Sequence, residues 1–168
     1  MTGIVIYKSR YGAAKQYAEW IARELGIAAI GSDEVKAKDF VSSDYIVVGS
    51  SIYMGKILIK NWLEKNGELL KGKRLFLFIV GAAPPLEQQK TKKYFSDNVS
   101  KEMLNQAQCF YLQGKSVFKE LSWSDKFFLK IGAMLVKEAS DKKAMLTDFN
   151  AIKKENVTDL VSAVKSLK

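Results

Sequence analysis

Five short apolar runs, each followed by a stretch of helical length, constrain this chain more than any other feature. They are GIVIY (3–7), IAAI (27–30), YIVVGSS (45–51), RLFLFIVGAA (74–83) and AQCFYLQG (107–114). The strongest of them do not alternate polar with apolar residues, and the fourth holds no charge after Arg74. That is the pattern of strands covered on both faces. Between the first two runs, Ala14, Tyr17, Ala18, Ile21, Ala22 and Leu25 recur at helical spacing. Lys15, Gln16, Glu19, Arg23 and Glu24 fall on the other side, and Gly26 supplies the stop. Further helices are expected at 56–66, through the polar stretch beyond Pro84-Pro85 to 105, at 123–137 and at 153–167. Strand–helix alternation implies an α/β fold of three layers, a parallel sheet with helices on both faces. No linker or repeat interrupts it, so residues 1–168 read as one domain.

Composition removes several function classes. The one cysteine, Cys109, precludes an intramolecular disulfide, and with no histidine there is no Cys/His zinc site. The commonest general base is missing too, and with it any Ser-His-Asp or Cys-His pair. No metal site is expected. No basic-then-apolar leader opens the sequence, and no apolar run approaches the roughly 18 residues that cross a bilayer. The chain therefore reads as cytoplasmic. Its formal charge of +9 favours acidic partners or surfaces, although the lysines are spread along the chain and also serve solubility.

In open α/β sheets, ligands bind beyond the C-terminal strand ends where the strand order reverses. With a strand order of 2-1-3-4-5, the loops after the first and third strands converge there. The first loop, KSRYGAA, offers backbone N–H groups around Gly12, the hydroxyl of Ser9, and Arg10 and Lys15 as cations suited to phosphate. The alternative is an ordinary turn with a left-handed glycine. The second, GSSIYMG, places Tyr53 between Ile52 and Met54, where a planar ring could lie, or where a tyrosine simply covers the sheet end. It is not a Walker A loop: five residues separate Gly49 from Gly55, and Ile57 follows Lys56. The third, VGAAPP, has small residues at Gly81, Ala82 and Ala83 that permit close approach of a ring edge.

A phosphate on a chain followed by a flat ring is what these loops describe together, and over nearly its whole length the sequence resembles the flavodoxin-like family. In that family the loop after the first strand reads (S/T)-x-T-G-x-T and binds the phosphate of FMN. The matching residues are Ser9, Arg10, Tyr11, Gly12, Ala13 and Ala14, so Tyr11 and Ala14 stand in place of two threonines. The family's second loop matches Ser51, Ile52, Tyr53, Met54 and Gly55. The resemblance makes Tyr53 the residue that stacks on the isoalloxazine, and Met54-Gly55 the peptide that answers the protonation of flavin N5. The third loop matches Gly81, Ala82 and Ala83, on the other side of the ring. Residues 114–149 are similar to the corresponding segment of menaquinone-dependent protoporphyrinogen dehydrogenases. The shared features are a (Y/S)-D-(R/K)-F start, here Ser124 to Phe127, an apolar-basic helix, and a closing Thr147-Asp148-Phe149.

The resemblance implies an FMN-binding redox protein in which the flavin, not a side chain, carries the chemistry. Its electrons would pass between proteins, or from a small molecule to a quinone-type acceptor, with protoporphyrinogen oxidation the specific alternative. The redox partner is then a protein or a small molecule such as a quinone or tetrapyrrole, and no nucleic acid is expected. A second class is a non-enzymatic module that keeps the fold and binds FMN weakly, since two hydroxyls are missing. The positive charge would favour the anionic, fully reduced flavin. Along 123–137 the apolar residues leave only a narrow stripe for Lys126, Lys130 and Lys137. Such a helix packs against the sheet or touches an anionic membrane peripherally.

Overall fold

The computed structural model describes residues 1–82, 88–138, 142–143 and 146–167. Strand β1 (Gly3–Lys8) pairs in parallel with β2 (Ala28–Gly31) on one side and with β3 (Tyr45–Tyr53) on the other. Beyond β3 lie β5 (Arg74–Gly81) and then β6 (Ala107–Gln113), again parallel. A two-residue strand β4 (Lys56–Ile57) folds back antiparallel on the end of β3. The order is β2-β1-β3-β5-β6, which is the expected 2-1-3-4-5 with β4 added off the path.

The apolar runs are continuous because each central strand feeds two cores. Val5, Val47, Phe76, Phe78 and Val80 face α1 (Ala13–Leu25) and the C-terminal helix. Ile4, Ile6, Ile46, Val48, Leu75, Leu77 and Ile79 face the opposite way. Period-two side-chain direction splits every run between the layers. The second layer is covered by α2 (Ala37–Val41), α3 (Lys60–Leu70), α4 (Gln88–Asn98) and α5 (Lys101–Gln106).

Several boundaries differ from the sequence expectation for local reasons. The helix expected from residue 56 begins at Lys60, because Lys56 and Ile57 are drawn into the β3–β4 hairpin. Helix α2 has five residues, too few to show a helical period. The polar region divides at Val99-Ser100, where the Ser100 hydroxyl accepts from the Met103 N–H and starts α5. Helix α6 spans Trp123–Leu135, and the last helical stretch is a 3₁₀ turn (Lys154–Val157) followed by α7 (Thr158–Lys165). The segment that contains α6 leaves and rejoins the body through β7 (Lys115–Ser116) and β8 (Phe149–Asn150), a separate antiparallel pair. The Ala151 N–H donates to the Gly114 carbonyl at 3.1 Å beside it. No helix among the described residues is long and apolar enough to cross a membrane.

Packing is tightest where Phe78 lies across Gly49, its register partner on β3. A Cβ on Gly49 would stand 1.9 Å from Phe78 Cζ, inside a ring that is itself fully buried. Gly49→Ala is therefore expected to destabilise by about 2–3 kcal/mol, since the ring has no rotamer of escape. Urea unfolding should show a lower midpoint at unchanged slope.

Candidate functional site

The C-terminal ends of β1, β3 and β5 open into a cavity of about 450 Å³. Its first wall is the turn between β1 and α1. Gly12 adopts φ 82°, a left-handed conformation that glycine supplies without strain, and is the N-cap of α1. It brings no side chain to that cap, so the first N–H groups of α1 are left for something else to satisfy. The second wall is the β3–β4 hairpin. Its two central residues, Met54 (φ 49°) and Gly55 (φ 76°), both have positive φ, as a tight type I′ turn demands. Met54 is the one non-glycine with positive φ among the described residues, a cost on the order of 1–2 kcal/mol. Buried Asn98 at the end of α4 holds the hairpin: its Oδ1 accepts from the Ile57 N–H and its Nδ2 donates to the Gly55 carbonyl, both at 3.2 Å.

The third wall includes Val80, Gly81 and Ala82, and a fourth comes from the β7–β8 segment through Leu121, Phe128 and Leu129. The lining is mainly apolar, with its polar groups gathered at Asp125 of α6. This carboxylate is 6% exposed and takes four hydrogen bonds. Arg10 donates twice, from Nε at 3.0 Å and from a terminal nitrogen at 3.1 Å. Tyr53 donates at 2.5 Å, and Tyr11 donates as well. The Arg10 guanidinium also lies over the Tyr53 ring, 4.3 Å from its centroid. Burial alone would raise the Asp125 carboxyl. Hydrogen bonds from Tyr11, Tyr53 and Arg10, with the Arg10 charge, outweigh it and hold the group at about 2. Its bond to Asp125 is also the main reason the Tyr53 hydroxyl is pushed up.

Local capping explains how Asp125 is free for this. The Ser122 hydroxyl accepts from the Asp125 N–H at 3.2 Å, which is half of a capping box. In the reciprocal half, the third helical residue would accept from the N-cap N–H. Here Tyr11 does so instead: its oxygen accepts from the Ser122 N–H at 3.1 Å. A second cation at the cavity, Lys115, is paired with Glu120 at 2.6 Å. Each of these two cations has a carboxylate partner, so the formal charge of +9 is not concentrated here.

A family model for the flavodoxin domain matches residues 4–145. The chain belongs to the flavodoxin domain family. Among solved structures it is similar to a flavodoxin from the domain Archaea, with 18% identity over 98% of this chain and 99% of that one at a TM-score of 0.48. It is also similar to the Streptococcus pneumonia TIGR4 flavodoxin (14% identity, 97% and 99% coverage, TM-score 0.49). A third is a flavoprotein from Lactobacillus acidophilus NCFM solved in complex with FMN (15% identity, 67% and 91% coverage, TM-score 0.47). No curated protein matches the sequence.

Within this flavodoxin-family cavity, the expected residues fall into three groups. Arg10, Tyr11, Ala13, Ser51, Ile52, Tyr53, Met54, Gly81 and Ala82 line it. Ser9, Gly12, Ala14 and Gly55 do not: Gly12 and Gly55 shape the turns, Ala14 is fully buried in the core, and Ser9 Oγ lies 3.5 Å from Ser51 Oγ. Ala83 lies outside the described residues. Of the two cations suited to phosphate, Arg10 is committed to Asp125, and Lys15 lies on the exposed side of α1, 3.9 Å from Glu19. Sequence reasoning missed Asp125, Leu121, Phe128 and Leu129. The Ser124–Phe127 motif marked the place, but no local signal said that its carboxylate turns toward residues 10, 11 and 53. Among the described residues, no three His, Cys, Asp or Glu side chains gather as a metal site.

A carboxyl held below its ordinary value stabilises the fold in full above the unfolded value, about 4. That contribution is lost as pH falls through about 2. Asp125→Asn should therefore flatten the loss of stability between those two pH values, measured by urea unfolding at each pH. Asp125→Ala, which strips four hydrogen bonds beside a half-exposed arginine, should cost about 2 kcal/mol at neutral pH.

Proposed function

We propose that this cavity binds FMN and that the protein is a flavin-dependent electron carrier or oxidoreductase. One observation carries the reading. In a chain of the flavodoxin domain family, an N-terminus of α1 without a side-chain cap and an apolar slot between Tyr53 and Gly81 open into the same cavity. The donor set fits the group: the first N–H groups of α1 suit a phosphate, and Ile52, Met54, Val80, Phe128 and Leu129 suit a flat ring. Bound FMN would supply the electron or hydride transfer. The protein's part is to hold the phosphate at Ser9 and the Arg10–Ala14 turn, to exclude water with α6, and to fix Tyr53 through Asp125.

The finer reading is oxidation of a small molecule with a quinone-type acceptor, of which protoporphyrinogen is the specific case. Its support is the similarity of residues 114–149 to that group of dehydrogenases and the apolar wall that the same segment gives the cavity. The runner-up, a module with weak FMN affinity, draws on Tyr11 and Ala14. One spends its hydroxyl on Asp125 and the other is buried, so neither adds a donor to the turn.

Titration with FMN should quench flavin fluorescence at one-to-one stoichiometry, with riboflavin, which lacks the phosphate, at least about tenfold weaker. Protein that stays colourless with excess FMN overturns the flavin reading in favour of the weak-binding module. Ser9→Ala should weaken FMN by about threefold to tenfold. Tyr11→Phe should weaken it less, because that hydroxyl faces Asp125 and Ser122 instead of the turn.

A further inference from the structure

Helix α6 has two sides with opposite requirements. Its inner side, Asp125, Leu129 and Ala133, is turned toward the body of the protein. Its outer side is almost wholly apolar and open. Trp123 is 82% exposed, Phe127 51%, Met134 76% and Leu135 78%. At 100° per residue these four, with Ile131, sweep about a third of the helix circumference, and Ser124 is the one polar residue among them. Trp123 and Phe127 stack at 6.0 Å with only 9° between their planes, so the aromatic surface is a flat ledge, not a scatter of side chains. Water is a poor solvent for a continuous surface of this kind.

The flank of the ledge is cationic. Lys126 and Lys130 follow it along one edge, and both ammonium groups stand over the Phe118 ring, at 5.6 and 5.7 Å. Lys119 lies on the same short turn, and Lys137 just beyond the helix. The whole chain adds a net charge of +9. The nearby cations that are neutralised, Arg10 by Asp125 and Lys115 by Glu120 of that turn, line the cavity instead. We infer that this outer side of α6 docks on an anionic lipid bilayer, with Trp123, Phe127 and Met134 entering the interface and Lys126 and Lys130 meeting lipid phosphates. A protein partner would need an apolar groove rimmed with acid. A second copy of this chain would bring its own lysines against these, which like-charge repulsion opposes. An anionic bilayer supplies both the apolar depth and the negative rim, and tryptophan at the boundary with flanking lysines is the chemistry that such an interface takes.

This inference goes beyond the flavin reading and does not depend on it, since the outer side is built whether or not the cavity is filled. Docking would bring the cavity mouth to the membrane surface, because Phe128, which lines the cavity, makes an edge contact with Phe127 at 6.0 Å.

The test is co-sedimentation of the full chain with vesicles of phosphatidylcholine alone and of phosphatidylcholine with phosphatidylglycerol. Binding is expected only to the anionic vesicles, and high salt should weaken it. The double variant Trp123→Ser, Phe127→Ser should lose about tenfold in vesicle affinity, and so should Lys126→Glu, Lys130→Glu. Both variants should remain folded by circular dichroism and titrate with FMN as the parent does, because none of these four side chains lines the cavity. The absence of vesicle binding at low salt overturns the inference. So does binding that survives the serine variant, which would be attraction of the overall charge alone. A concentration-dependent dimer that the serine variant abolishes, without vesicle binding, assigns the ledge to a second copy instead.

Discussion

Central strands buried on both faces leave little freedom for anything else in this chain. Along Tyr45–Val48 of β3 and Leu75–Val80 of β5 each side chain enters one of two cores, and the backbone is paired with a neighbouring strand on both sides. Polar backbone can meet a ligand only where the ladder ends. At the C-terminal ends of β1, β3 and β5 the chain must turn into helix or hairpin, and the left-handed Gly12 and the Met54-Gly55 pair are how it turns. The cavity is thus a consequence of the sheet rather than an addition to it. Its location follows from the reversal of strand order between β1 and β3.

On that frame the β7–β8 segment adds a fourth wall and one strong electrostatic tie. Asp125 gathers Arg10, Tyr11 and Tyr53 from two different loops and fixes their mutual position. The pairing costs desolvation of a carboxylate, which four hydrogen bonds and one cation offset. The tie also explains why Tyr11 can stand where related proteins are expected to carry a threonine. The longer side chain reaches past the turn to α6 and ties the fourth wall to the first.

Much of this was legible in the sequence, and the reasons differ by element. The doubly buried strands were clear because period-two packing on two faces writes itself as an unbroken run such as Leu75–Val80. Helix α1 was clear because one face is buried and the other is not. Two-residue β4 and five-residue α2 were not, since neither is long enough to establish a period. The loops were legible as ligand-facing through Gly12, Tyr53 and Gly81. Asp125 was not, because its role depends on a tertiary approach to residues 72 to 115 positions away. Nothing local distinguishes an aspartate in the first turn of a helix that caps it from one that turns aside. Arg10 shows the same limit: a cation beside a phosphate turn looks like a ligand until its carboxylate partner is seen.

The borrowed cap on α6 has a bearing on how the chain acquires its shape. A helix with both halves of its capping box within one turn can start by itself. This one relies on Tyr11 for the Ser122 N–H, a contact that closes 111 residues of chain. Closing so long a loop costs entropy that other contacts must offset. The Ser122 N–H is capped only where the β1–α1 turn stands beside it, so the fourth wall depends on the first for its own start. The β1–α1 turn is thus a template for α6 as well as a wall of the cavity.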